Sequence, residues 1–88
     1  MKFKVGDYVR FVGYNLSEED YEDIKDILIK DKIYKIIELI RTPLNMKYFL
    51  RHLCENGEFN GLGEQHYERV INITPEQKQR LKDMINSI

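Results

Sequence analysis

Apolar and polar residues alternate along the first segment of the chain, which is the pattern of a β-strand with one buried face. The segment runs from Lys4 to Gly13, and Val5, Val9 and Phe11 fall on its apolar face. Valine and aromatic residues suit such a pleated, half-buried surface. The pattern predicts the first strand of a small β-barrel.

Further strands are predicted from β-branched residues and turn signals. They are a central strand over residues 33–40, bulged near 36–37 and covered on both faces, a third strand over 46–54, a short fourth strand from 58 and, after a helical turn at 64–67, a closing strand over 69–73. The predicted core consists of Val5, Val9, Phe11, Tyr34, Ile36, Tyr48 and Leu50.

Capping residues and apolar spacing predict two helices. Ser17 is a suitable N-cap for a helix over residues 18–28, whose apolar stripe faces the barrel. Thr74 and Gln77 have the spacing of a capping box for a C-terminal helix over residues 75–87. The apolar stripe of this second helix either packs on the barrel or contacts a partner or a second copy. The stripe consists of Leu81, Met84, Ile85 and Ile88.

The composition bounds the domain organisation and the cellular context. The 88 residues, 42% of them hydrophobic, predict one ordered domain over residues 1–88, too small to enclose a deep enzymatic cleft. Cys54 is the single cysteine and no signal peptide pattern is present, which predicts a reducing, cytoplasmic environment. No run approaches the roughly 18 apolar residues of a membrane-spanning helix, so no membrane contact is expected.

The net charge of −1 hides an acidic segment. Residues 18–26 carry six acidic side chains against Lys25 alone, whereas the rest of the chain carries nine acidic and thirteen basic residues. Such a segment steers a basic partner by charge, or it is the solvated face of a helix. The first interpretation assigns a partner-binding role to Glu18, Glu19, Glu22, Asp23 and Asp26.

A second candidate surface is predicted on the outward face of the third strand. There Lys47, Phe49 and Arg51 would place a cation, an aromatic ring and a second cation about 7 Å apart. The arrangement suits stacking on a base or binding a phosphate. Tyr8 and Arg10 extend it if the first and third strands are neighbours. Alternatively, Phe49 packs beneath one of the helices with the two cations at its edge.

Candidate catalytic and metal-binding residues are few. His52 and Cys54 share one strand face and His66 follows, but a structural zinc site usually has four ligands in paired short spacings. Side chains two positions apart on a strand are parallel neighbours, and no third group is indicated that would orient them as a nucleophile and its base. We therefore predict no catalytic residues, no metal and no cofactor, and hence no enzyme.

Several segments together resemble a known group of small barrels. They are Phe3-Lys4-Val5-Gly6-Asp7-Tyr8-Val9-Arg10-Phe11, Ile33-Tyr34-Lys35-Ile36 and Tyr48-Phe49-Leu50, followed by a glycine turn and a short closing strand. Over residues 3–73 they resemble the SH3-like β-barrel proteins of Firmicutes and their bacteriophages. The resemblance implies a five-stranded antiparallel barrel, here with the acidic helix inserted after the first strand and an amphipathic helix at the C-terminus.

The small size, the lack of a catalytic grouping and this resemblance predict a non-enzymatic protein-binding module, of the kind that regulates or inhibits a host factor for a phage. One alternative is a nucleic-acid-binding barrel that uses Lys47, Phe49 and Arg51, although the net charge of −1 is far from that of a dedicated nucleic-acid binder. Another is that the acidic helix mimics nucleic acid. The expected partner is another protein, or else nucleic acid, and the chain itself is expected to be a monomer or a small homo-oligomer.

Overall fold

A computed structural model of the chain describes residues 3–14, 16–41 and 48–86. The described residues form a β-rich fold with two α-helices and one 3₁₀ turn. In chain order the elements are β1 (Tyr8–Phe11), α1 (Glu18–Ile24), β2 (Ile33–Arg41), β3 (Tyr48–Leu53), β4 (Phe59–Asn60), the 3₁₀ turn (Glu64–His66), β5 (Tyr67–Val70) and α2 (Pro75–Asn86). Within these ranges, no helix is both long and apolar enough to cross a lipid bilayer.

The five described strands form one antiparallel sheet in the order β4-β3-β2-β1-β5. This confirms the predicted mostly β fold with five antiparallel strands and two helices. The sheet is open rather than closed into a barrel, because β4 pairs with β3 and β5 pairs with β1 while β4 and β5 form its two edges. The predicted closed barrel is therefore not confirmed, and an SH3-like arrangement of the open sheet stays a prediction.

The long strand β2 contacts both halves of the sheet. Its first residues pair with β1, and the remainder pairs with β3 after a register shift between Ile36 and Glu38, which confirms the predicted bulge. The prediction that β2 is covered on both faces is wrong for Ile37 and Ile40, which are 42% and 45% exposed. The reason is that α2 covers only part of the face opposite the core.

The hydrophobic core lies on one face of the sheet and draws on every strand except β4. It consists of Phe3, Val9, Phe11, Leu28, Tyr34, Ile36, Leu50, Cys54 and Tyr67. Five of these were expected from the alternating pattern, since Val9, Phe11, Tyr34, Ile36 and Leu50 are all essentially inaccessible to solvent. Tyr48, also expected in the core, is only half-buried; it lies at the end of the β2–β3 pairing, opposite Arg41.

The prediction of a buried Val5 is wrong, since this side chain is 61% exposed. The chain turns here, with Gly6 at a φ of +93° that favours glycine, and β1 begins only at Tyr8. Phe3, which precedes the turn, is fully buried in the core instead.

The first helix begins where the sequence predicts and ends earlier. The Ser17 hydroxyl oxygen accepts a hydrogen bond from the Asp20 amide at 3.1 Å, as expected of an N-cap. The helix ends at Ile24 rather than at residue 28, and the chain continues as turns in which the Ile24 carbonyl oxygen accepts from the amides of Ile27 and Leu28. Leu28 is nevertheless buried in the core.

The second helix has the predicted capping box. The Thr74 amide donates to the Gln77 side chain at 2.9 Å, and the Gln77 amide donates to the Thr74 hydroxyl at 3.2 Å. Leu81 is 7% exposed, so the apolar stripe packs on the chain's own sheet. Residues 87 and 88, which belong to the predicted helix and stripe, lie outside the described residues.

The closing strand begins two residues earlier than the predicted range of 69–73. In β5 Tyr67 pairs with Phe11 and is buried, with the two rings 5.7 Å apart. The preceding 3₁₀ turn corresponds to the predicted helical turn. Its His66 carbonyl oxygen accepts from the amides of Val12 and Gly13 and so holds the turn against the end of β1.

Candidate functional site

Three exposed apolar side chains lie together on the face of the sheet opposite the core. Ile40, Phe49 and Phe59 are 45%, 42% and 38% exposed and line one cleft of about 380 Å³. Arg51, Asn60 and the backbone around Gly61 complete its walls. We call this site the apolar cleft. Large contiguous exposed apolar patches often mark binding surfaces, which makes the apolar cleft the candidate site.

The bulge in β2 places Ile40 in the apolar cleft. Before the bulge, Tyr34 and Ile36 are buried in the core. Beyond it the alternation changes phase, so that Leu39 packs against the core and Ile40 pairs with Phe49 on the other face. Without the extra residue Ile40 would be on the core side of the sheet.

A close backbone approach forms the other side of the cleft. A Cβ atom at Gly61 would overlap the carbonyl oxygen of Leu50, so only glycine lets the chain lie this near β3. The Leu50 amide donates to the Leu62 carbonyl oxygen at 2.9 Å, and Phe49 forms a bridge with Gly63. The chain after β4 therefore continues alongside β3.

Arg51, the described cation beside the cleft, is already paired. Arg51 Nη1 lies 3.0 Å from Glu38 Oε1, its neighbour on β2. The exposed Phe49 ring therefore lies beside an ion pair on this side rather than beside a free cation. Lys47, the other predicted cation, lies outside the described residues.

Tyr8 and Arg10 do not extend this surface, because β2 separates β1 from β3. Arg10 pairs instead with Glu68 of β5 at 3.0 Å, and the hydrogen bond and charge of Glu68 raise the pKa of Arg10. Lys35 Nζ lies 5.8 Å from the centre of the Tyr8 ring. The alternative interpretation, in which a helix covers Phe49, is also wrong given its exposure.

The acidic side chains of the first helical segment are exposed, as their sequence pattern predicts. No residue of α1 is buried, and the predicted partner-binding set is fully solvent-facing: Glu18, Glu19, Glu22, Asp23 and Asp26. Lys25 Nζ lies 2.7 Å from Glu22 Oε2 and so neutralises one of these carboxylates. A role in binding remains a prediction.

His52 and Tyr67 form a buried polar pair that the sequence pattern does not indicate. His52 Nε2 lies 2.8 Å from the Tyr67 hydroxyl, and His52 Nδ1 lies 3.2 Å from the Leu53 carbonyl oxygen. The Leu62 amide donates to the Tyr67 hydroxyl at 3.2 Å. Burial lowers the pKa of His52 to about 4, so the ring is neutral, with Nδ1 donating and Nε2 accepting.

The weak metal-binding candidate is not assembled in the described residues, where no cluster of three or more histidine, cysteine, aspartate or glutamate side chains could hold a metal ion. His66 Nδ1 lies 2.6 Å from the Tyr14 carbonyl oxygen. Cys54 is buried beside His52, and burial raises the pKa of its thiol to about 11. Cys54 and His66 are therefore buried side chains with structural contacts.

A second polar cluster attaches α2 to the sheet. The Tyr34 hydroxyl donates to Glu55 Oε1 at 3.1 Å, and Arg80 Nη1 donates to the same oxygen at 3.0 Å. Arg80 Nη2 also donates to the Ile33 carbonyl oxygen. The one sequence signal for this cluster is Arg80, a basic residue directly before Leu81 of the apolar stripe.

Comparisons with known proteins add no relatives. The chain matches no family model, no curated protein and no solved structure. The resemblance to SH3-like proteins of Firmicutes and their phages therefore remains a prediction from the sequence.

Proposed function

We propose that this chain is a protein-binding module that contacts its partner through the apolar cleft. The observation that carries the proposal is the clustering of Ile40, Phe49 and Phe59 as exposed side chains around one cleft. Protein interfaces commonly have an apolar, aromatic-rich centre and a polar rim. The Arg51–Glu38 ion pair supplies such a rim. Occupying a surface of its partner in this way is how a non-enzymatic regulator or inhibitor would act.

The charge arrangement favours a protein partner over nucleic acid. Binding to a phosphate backbone depends on cations that are free to replace counterions. In the described part of the sheet, Arg10 and Arg51 are each paired with a glutamate at 3.0 Å. A nucleic-acid ligand would have to compete with these carboxylates.

We further propose that the sheet has the SH3-like arrangement. Support comes from β2, which pairs with β1 before the bulge and with β3 after it, as a strand shared by two halves of a curled sheet would. The Tyr67 hydroxyl also connects β5 to β3 and to Leu62, which follows β4. These contacts link the edge strand β5 to β3 and to the segment after β4, as a curled sheet would require.

Replacing the apolar groups of the cleft tests the proposed function. Threonine at positions 40 and 49 (Ile40→Thr with Phe49→Thr) keeps the preference for strands and should leave the melting temperature nearly unchanged. Capture of protein partners from a lysate by the tagged variant should fall at least about tenfold relative to the unmodified chain, a loss typical of interface anchors. Ile71→Thr is the matched control, because Ile71 is 84% exposed and does not line the cleft.

Equal capture by all three proteins would contradict the proposal. Binding to oligonucleotides that weakens with salt and is lost in Arg51→Ala would support the nucleic-acid alternative instead.

The acidic segment is tested separately once a partner is known. Asp23 and Asp26 are suitable targets, since both are exposed and Glu22 is already paired with Lys25. If the carboxylates steer a basic partner, reversing both to lysine should slow association about tenfold at low salt. The difference should shrink above roughly 0.15 M salt, where the Debye length is about 8 Å. An unchanged rate at low salt would identify the segment as a solvated helix face.

A further inference from the structure

A second, smaller cavity lies between α2 and the sheet. Leu81, Met84 and Ile85 of the helix face Ile37 and Leu53 of the sheet across it, and its volume is about 140 Å³. We call it the α2 cavity. It is separate from the apolar cleft, to which Ile40 and Phe49 belong, although Phe59 lines both.

Six of the seven residues that line the α2 cavity are apolar. Lys35 contributes the one charged residue of the lining, and its ammonium group lies near the Tyr8 ring, 5.8 Å from the ring centre. A water molecule in a protein cavity needs about two to four polar partners. Water is therefore a poor occupant of this space.

We propose that the α2 cavity binds a neutral, apolar molecule of about the size of benzene. Enclosed protein cavities of about 150 Å³ with aliphatic and aromatic walls accept benzene or xenon, and the α2 cavity has a similar volume and lining, although it opens to solvent on one side. Ile37, Phe59 and Ile85 are 42%, 38% and 47% exposed, so a guest can enter from solvent past their side chains.

Such a guest would contact the helix and the sheet at once. Among the described residues of α2, Leu81 is buried and Met84 is partly buried against the core, so a guest in the α2 cavity would add to the apolar contact that these two side chains make. A molecule that binds only when the helix is docked stabilises the docked state by mass action. The site would therefore couple ligand binding to the attachment of α2.

Benzene titration of the full chain, followed by methyl NMR, tests this proposal. Saturable shifts are expected at Ile37, Leu53, Leu81, Met84 and Ile85, with a dissociation constant of roughly millimolar order for so small a ligand. The methyl groups of Val5 and Ile71 should not shift. Phenol should bind at least about tenfold more weakly, because its hydroxyl would lose water and find no partner.

Two variants fill the cavity from opposite walls, Ile85→Trp from the helix and Ile37→Trp from the sheet. Each should abolish the benzene shifts, whereas Ile71→Trp, at an exposed position outside the lining, should leave them unchanged. The proposal is overturned if benzene causes no saturable shift in the unmodified chain, or if the filled variants bind it equally well. Because Ile40→Thr with Phe49→Thr should retain benzene binding, this result is independent of the fate of the proposed function.

Discussion

His52 shows how one buried residue combines packing with hydrogen bonding. Its ring stacks on Tyr34 with centroids 4.4 Å apart and meets the edge of Tyr67 at 5.5 Å. In the neutral ring, Nε2 accepts a hydrogen bond from the Tyr67 hydroxyl. A proton on Nε2 would reverse this bond, leave the Tyr67 hydroxyl proton in need of another acceptor, and place a charge in the core, where burial disfavours it.

The stability of the protein should therefore depend on pH through His52. The pKa is about 4 in the folded chain and about 6.5 when unfolded, so the unfolded chain binds more protons between these values. The free energy of unfolding should be fully present above pH of about 6.5 and fall by up to about 3 kcal/mol as pH decreases to about 4. Urea unfolding of the unmodified chain and of His52→Gln across this range measures the difference.

His52→Gln leaves every carboxylate of the chain in place, so the difference between the two stability curves reports on His52 alone. The groups that face His52 do not titrate in this window, since burial raises the pKa of Tyr34, Tyr67 and Cys54. Parallel curves for the two proteins would show that His52 has no part in the acid sensitivity.

Gly61 lies where no larger side chain fits. Gly61→Ala should lower the free energy of unfolding by about 2 kcal/mol or more, because its methyl group would displace the backbone of β3 at Leu50. Gly63→Ala is the matched control, since there the added carbon meets only the flexible side chain of Gln65. Similar stabilities of the two variants, measured by urea unfolding, would contradict the close approach.

At the scale of elements, α2 is attached by polar contacts as much as by apolar ones. Arg80 joins the helix to Glu55 and to the Ile33 carbonyl oxygen, and its guanidinium lies 5.5 Å from the centre of the Tyr34 ring. The Arg80 and Glu55 side chains are 26% and 22% exposed. An ion pair so shielded from water matters more than the exposed pairs of the sheet.

Arg80→Ala should consequently destabilise the chain by about 1–3 kcal/mol, because it leaves the half-buried Glu55 carboxylate without its cation. Lys82→Ala removes a cation from an exposed position of the same helix and should change the stability by less than about 0.5 kcal/mol. Urea unfolding of both variants provides the comparison. Equal losses would mean that the Arg80 contacts do not hold the helix.

The elements with local signals were predictable from the sequence. The alternation of Val9 and Phe11 identified a strand, and the pairs Ser17–Asp20 and Thr74–Gln77 located two helix starts that the structure confirms. Alternation does not show where a strand begins, which is why Val5 was misplaced. It also carries no information on register, so the pairing of Ile40 with Phe49 beyond the bulge could not be predicted from the sequence pattern.

At the scale of the whole molecule, the proposed binding surface depends on contacts between distant parts of the chain. The apolar cleft combines β2, β3 and β4, and the cation in it is neutralised by a residue of the neighbouring strand. The strand order separates Tyr8 and Arg10 from the apolar cleft, because β2 lies between β1 and β3. Such facts follow from tertiary pairing, which single residues and their spacing do not encode directly.

The pairing of the first strand with the last has a consequence for synthesis of the protein. Tyr8 lies opposite Val70, so β1 is made early by the ribosome and must wait for nearly the whole domain before its second neighbour exists. During that interval β1 can pair with β2 alone, and its other edge remains open to incorrect pairing. Closing so long a loop is also slow. The native sheet is thus complete only after β5 has been synthesised, and the open edge of β1 needs protection from incorrect pairing until then.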